Sequence, residues 1–201
     1  MPRCLSCQEY AGEFGILCRD CSSIEHCISP HSIKKKFSQV DRVFYLWDYN
    51  SPVRSAFLSF KFRGLLPAAR LFARVMKEYV SFYNINLDNF FITYVPMHPL
   101  RRAFRGYNQS RVLAEEFALL LGKKAYSFLS ATKLRFPQHW FDDKKIRRKN
   151  VKNLFNASLP EGKMSVLIID DVITTGYTIK ECAKVLKRKG AERVWAFGLL
   201  G

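Results

Sequence analysis

The chain contains no run of about 18 apolar residues, the length a membrane-spanning helix needs, so no transmembrane span is expected. No apolar h-region stands near Met1; the first residues carry cysteines and charges instead. No secretory signal is therefore expected, and the location reads as cytoplasmic. No internal repeat or low-complexity tract stands out. Acidic residues are scarce: 17 Asp plus Glu face 33 Lys plus Arg, for a formal net charge of +16. Such an excess favours polyanions, whether nucleic acid, nucleotide phosphates or an anionic membrane face. A basic bias of the whole source proteome would produce the same figure. What remains is ample for one sizeable core with a small appendage: 201 residues, 48% hydrophobic and 14% aromatic.

Three zones follow one another. Residues 1–36 are rich in cysteine, lack apolar periodicity and end in Lys34, Lys35 and Lys36. Residues 37–90 open on a strand over 43–49, then Ser51 as N-cap with Pro52 at the first helical position. Val53, Ala56, Phe57 and Phe60 fall on one helical face that stops near Gly64. Pro67 starts a second helix with Leu71, Phe72, Val75, Tyr79 and Phe82 as its apolar face. This zone is a hood or a linker region. Residues 91–201 alternate strands (91–95, 164–169, 193–200) with helices: one capped by Asn108, bearing Val112, Leu113, Phe117 and Leu120 and closed by Gly122; another over 178–189 with Ile179, Cys182, Ala183 and Leu186 inward, closed by Gly190. That alternation predicts an α/β fold with a parallel sheet and ligands at the C-terminal ends of its strands.

Cys4-x-x-Cys7 and Cys18-x-x-Cys21 form two knuckles. Each lets two thiolates hold one ion, and two complete a tetrahedron with no open position, so the site reads as structural zinc. Redox cysteines and an iron–sulfur cluster are alternatives, and disulfides are disfavoured without an export signal. Gly12 and Gly15 suit a tight turn between the knuckles, and His26 or Cys27 stands near enough to replace a ligand. Cys182 reads as a small buried hydrophobe.

The richest stretch runs from Val166 to Thr178: an apolar strand, Asp170 and Asp171, a turn of hydroxyls around Gly176, then a helix. Turn N–H groups, the Thr174, Thr175 and Thr178 hydroxyls and the positive end of the helix dipole can all face one phosphate. The two acids can accept hydrogen bonds from sugar hydroxyls or help hold a phosphate-bound Mg²⁺. A second segment, 95–109, follows a strand and precedes a helix; Arg101, Arg102 and Arg105 offer guanidinium forks to phosphate oxygens.

The acidic pair followed by Thr-Thr-Gly resembles the 5-phosphoribosyl-1-pyrophosphate (PRPP) motif of type I phosphoribosyltransferases. The chain as a whole resembles the ComF (amidophosphoribosyltransferase-like) family. The likeness runs from the paired knuckles through the Val95-Pro96-Met97-His98-Pro99 and Arg105-Gly106-Tyr107-Asn108-Gln109 segments to Thr132, Gln138, Arg148, Asn150, Phe155 and the 170–178 motif. It implies a type I phosphoribosyltransferase-like fold with an N-terminal zinc finger, and association with natural competence, the uptake of single-stranded DNA into the cytoplasm. It also implies PRPP, with Mg²⁺, held by Ile173, Thr174, Thr175, Gly176, Tyr177 and Thr178 at the 5′-phosphate. Asp170 and Asp171 would face the ribose, and Met97, His98, Arg101, Arg102 and Arg105 would meet the pyrophosphate. Tyr177 and Phe104 put aromatics where the family pattern has smaller or different residues.

Binding PRPP is not transferring it. A transferase positions a nucleophile and excludes water, and neither 37–90 nor 132–152 shows a base- or amine-binding signature. Met1 is not followed by Cys, so no glutaminase nucleophile is evident. His98 and His139 read as structural or phosphate-facing rather than acid/base groups. Three functions are compatible: a competence factor that binds PRPP and single-stranded DNA; an active phosphoribosyltransferase; and a zinc-finger scaffold docking to a DNA-translocating, helicase-like ATPase. Basic residues interleaved with aromatics favour the first: Arg135, Trp140, Phe141, Lys144, Lys145, Arg147, Arg148 and Lys149. Aromatics stack bases while cations track the backbone. A basic lid over bound phosphates is the alternative.

Overall fold

The computed structural model describes residues 3–11, 16–33, 36–64, 66–132 and 154–201. A five-stranded, all-parallel sheet runs in the order β1-β7-β6-β2-β3. Its strands are β1 (Arg42–Trp47), β2 (Phe90–Tyr94), β3 (Ala125–Tyr126), β6 (Met164–Ile169) and β7 (Ala191–Leu200). The helices are α1 (Arg54–Arg63), α2 (Pro67–Phe82), α3 (Pro99–Arg105), α4 (Gln109–Leu120) and α5 (Tyr177–Arg188). A short antiparallel ribbon joins β4 (Leu129–Ala131) to β5 (Phe155–Ala157).

A parallel sheet covered on both faces needs apolar residues at every strand position, and all six residues of β6 are buried. Alternation then sorts them into two cores. Leu167, Ile169, Trp195, Phe197 and Leu199 face the layer of α1, α2 and α4, together with Cys4, Leu17 and Cys18 of the N-terminal segment. Val166, Ile168, Val194 and Ala196 face α5 and the ribbon. The cysteine segment is thus seated on the main core rather than on one of its own. Tyr79 Oη donates to Ile28 O (2.9 Å), Ile28 N donates to Leu46 O (2.7 Å), and Ser55 Oγ donates to Leu5 O. Within residues 37–90, β1 pairs with β7 as an edge of the same sheet.

Several local expectations need correcting. Ser51 does not cap α1: the helix begins at Arg54, Val53 occupies the cap position without a side-chain bond, and Arg54 N donates to Ser51 O (3.0 Å) in a turn. Phe82 does not join the apolar face of α2; it is 63% exposed and packs edge-on against Tyr83, because the helix passes the end of the core in its last turn. The arginine-bearing segment contains a short helix, α3, with Pro99 at its start, rather than an extended loop. The other expected helical faces hold: Ala56, Phe60, Leu113, Phe117, Ile179, Cys182, Ala183 and Leu186 are all solvent-inaccessible.

Candidate phosphate cavity and cysteine cluster

At the C-terminal ends of β2 and β6 lies a cavity of about 280 Å³. Chain reversal after β6 supplies its floor. Asp170 N donates to Phe197 O (3.0 Å) and Ile173 N to Leu200 O (2.7 Å), so the turn stays tied to β7 while leaving the sheet. Gly176 takes φ +68°, a left-handed conformation that side chains disfavour. A Cβ there would also overlap the ring of Phe37, which stands over the turn. The first N–H groups of α5 lack intrahelical acceptors and point into the turn. Tyr177 keeps its ring 48% exposed at the cavity mouth.

The adjacent acids sit in different surroundings. Asp170 is buried and accepts from Ser110 Oγ (3.0 Å) and Asp171 N (2.9 Å). Burial, and then the negative charge of Asp171, push its carboxyl up to about 8, against the opposing pull of Ser110, the Asp171 amide and Lys61. Asp171 instead forms an ion pair with Lys61 Nζ at 2.8 Å. One acid is thus a proton-holding, hydrogen-bonded wall, and the other a paired charge at the cavity surface.

Four consecutive residues knit the cavity to four places. Tyr107 Oη donates to Phe60 O in α1. Asn108 caps α4 through Ser110 N (3.1 Å) and donates from Nδ2 to Val95 O (3.0 Å). Gln109 Nε2 donates to Lys61 O (3.0 Å), and Ser110 holds Asp170. Asn108 was legible as a cap. Lys61 and Ser110 carry no sequence signal, since each acts across more than 45 residues of chain and leaves no local pattern; Gln109 belongs to the motif of the resemblance, which does not specify its contact with Lys61 O.

Of the expected phosphate-handling residues, Asp170, Asp171, Ile173, Thr174, Thr175, Gly176, Tyr177, Thr178, Met97, His98 and Arg101 all line this one cavity. His98 does so as the N-cap of α3, its Nδ1 accepting from Leu100 N (3.3 Å). Arg102 is exposed and does not line it. Arg105 closes α3. The basic-aromatic segment, with Arg135, Trp140, Phe141, Lys144, Lys145, Arg147, Arg148 and Lys149, lies outside the described residues, as do His139, Gly12 and Gly15.

The four expected cysteines converge: the sulfurs of Cys4, Cys7, Cys18 and Cys21 all lie within 4.8 Å of one another. Cys7 Sγ and Cys18 Sγ are 3.6 Å apart. A tetrahedron with metal–sulfur bonds of about 2.3 Å has sulfur–sulfur edges of about 3.8 Å, so the spacing suits one central ion and is far too long for a disulfide. Ser6 N and Cys21 N point at the Cys4 and Cys18 sulfurs (3.4 Å each), as donors to thiolates should. Burial opposes ionisation of Cys4, yet backbone groups of Cys7, Cys18 and Ser6 outweigh it and bring the thiol down to about 7. Burial and the neighbouring sulfurs push Cys21 up to about 12. Cys27 is not in the set; its thiol points at Ser23 O (3.8 Å). His26 is exposed and not in the set either.

The fold and site define a phosphoribosyltransferase-like α/β protein with a four-cysteine appendage. No protein-family model matches this chain. It is similar to Competence protein F of Haemophilus influenzae, 27% identical over 206 residues, covering 98% of this chain and 89% of that protein. It is 31% identical over 159 residues to DNA utilization protein YhgH of Salmonella typhimurium, covering 76% of this chain and 69% of that protein. Competence protein ComFC of Streptococcus pneumoniae is 26% identical over 210 residues, covering 92% of this chain and 87% of that protein. The chain belongs to the ComF competence protein family. Among the described residues, no helix is long and apolar enough to cross a membrane.

Proposed function

We propose that this chain is a competence factor, acting in DNA uptake and utilization, that binds PRPP with Mg²⁺ and single-stranded DNA. The observation that carries the PRPP reading is the convergence of the acidic pair, the turn at 173–178 and Arg101 on one cavity. In this reading the turn amides and threonine hydroxyls hold the 5′-phosphate. Asp170 and Asp171 meet the ribose hydroxyls, and Arg101 meets the pyrophosphate. Asp170 and Asp171 would hold Mg²⁺, which would supply charge neutralisation to the phosphates. Lys61, which pairs with Asp171 and also lines the cavity, would add positive charge for an anionic oxygen. The relatives' names, two of them competence proteins and one a DNA utilization protein, support the DNA role, as does the net charge of +16. We assign DNA contacts to residues 135–149. The cysteine set is read as a structural Zn²⁺ site, which metal analysis should find at about one ion per chain; iron with sulfide would overturn that.

The test of the cavity is thermal. PRPP with Mg²⁺ raises the melting temperature of the full chain by mass action, and the D170A/D171A variant loses that rise while remaining folded. An unchanged rise sinks the assignment. A second reading, active phosphoribosyl transfer, is favoured by one observation: Ala131, Leu154 and Phe155 bring apolar residues to the cavity lining. Pyrophosphate release upon adding a panel of nucleobases decides between them.

A further inference from the structure

A second, larger hollow of about 710 Å³ lies at the opposite end of the sheet, among the first residues of β1, β2 and β7. Its floor is aromatic: Phe90 and Trp195 have ring centroids 4.2 Å apart and are nearly inaccessible. Two arginines lie on that floor. The Arg42 guanidinium sits 5.2 Å from the Trp195 ring, and that of Arg193 sits 5.2 Å from the Phe90 ring. Arg193 Nε is further held by Ser165 Oγ at 2.9 Å. A guanidinium held over an aromatic ring gives up less freedom when it binds than a free one. Among the described residues of the lining the one acid, Asp41, is already engaged: its carboxylate accepts from Lys187 Nζ (2.9 Å) and Val194 N (2.6 Å). Lys36 adds a third cation, Tyr83 a half-buried ring, and Asn84 and Asn89 exposed amides.

We propose that this groove binds a short run of single-stranded nucleic acid: Arg42, Arg193 and Lys36 track phosphates, Tyr83 stacks a base, and the asparagines meet base edges. The charge complementarity is that of a phosphodiester chain, and the mixture of cations, aromatics and amides is what single strands use. The groove is separated from the phosphate cavity by the length of the strands, about 20 Å for six residues, so both can be filled at once. The proposal rests on the reading that this protein handles single-stranded DNA and gives that strand a site distinct from residues 135–149.

The test is fluorescence anisotropy of a labelled oligothymidylate with the full chain, titrated with salt. The R42E/R193E variant is expected to bind at least roughly tenfold more weakly, and its salt slope to shrink by about 1.4, at roughly 0.7 per lost phosphate contact. The milder R42Q variant, which keeps Arg193 on Ser165, should show half that loss of slope and an unchanged melting temperature. Y83A should weaken binding with the slope retained. If the wild-type chain binds no single strand at low salt, the DNA reading and the groove fall together. If it binds, and R42E/R193E binds as well as wild type while charge reversal of Arg147, Arg148 and Lys149 abolishes binding, the groove alone is overturned. A duplex or polyglutamate binding as tightly as the single strand would also overturn it.

Discussion

At the C-terminal ends of the strands, the cavity takes nine consecutive residues, 170–178, into its wall. At the N-terminal ends, the groove is assembled from four separated stretches: 30–36, 41–44, 83–90 and 193–195. The first is made largely of backbone, with a glycine at φ +68° and the start of a 12-residue helix. The second is made of long side chains, arginine on aromatic, whose positions depend on strand register: Arg42 lies beside Trp195 because β1 pairs with β7 at those two residues. A backbone device must be written contiguously, because amide directions follow from the local dihedrals. A side-chain device can be collected from anywhere the sheet brings together.

The shared core offers the largest way to break this contrast. Phe197 is buried in the interior strand β7 and packs against Phe44, Tyr79 and Phe117. Phe197→Ala should cost about 3–5 kcal/mol in urea unfolding. Because both ends rest on that strand, it should lower the PRPP-induced and DNA-induced stabilisation together. Loss at one end only would mean that the ends are less coupled than the common sheet suggests.

Gly176→Ala should separate them. It places a side chain at a left-handed φ and against Phe37, with an expected cost of about 1–3 kcal/mol and loss of the PRPP shift. Oligothymidylate affinity should be unchanged. Adding Phe37→Ala should relieve the overlap but not the dihedral cost, so recovery should be partial; full recovery would show that φ is not the constraint.

The pH dependence of the cavity end offers a further contrast. Asp170 has its carboxyl raised from 3.8 to about 8 by burial and by Asp171. The folded state therefore holds a proton that the unfolded chain has released. Its contribution to stability is fully present below the unfolded value, declines as pH rises between the two, and is lost above about 8. Denaturation curves for Asp170→Asn should flatten over that interval relative to wild type. Cation-dependent PRPP binding, which needs the carboxylate, should strengthen over the same interval, while binding at the groove should not follow Asp170.

The parallel α/β class, the two knuckles and the acid-turn-helix order at 166–178 are all legible from the amino-acid order alone. Each rests on short-range physics: apolar runs long enough for doubly covered strands, thiols two residues apart, and a glycine where a turn must reverse before a helix. The apolar spacing of α1, α4 and α5 was legible for the same reason. Tertiary packing settles whatever depends on partners far apart in the chain. Lys61 pairs with Asp171, whereas Asp170 is buried beside that charge and its carboxyl is pushed up despite the Ser110 hydrogen bond, although the two are identical residues side by side. Packing likewise seats the cysteine segment on the main core. Arg42 and Arg193 read as ordinary surface charges until strand register lays them on Trp195 and Phe90, because periodicity reports which way a residue faces along its own element and not which residue lies across from it.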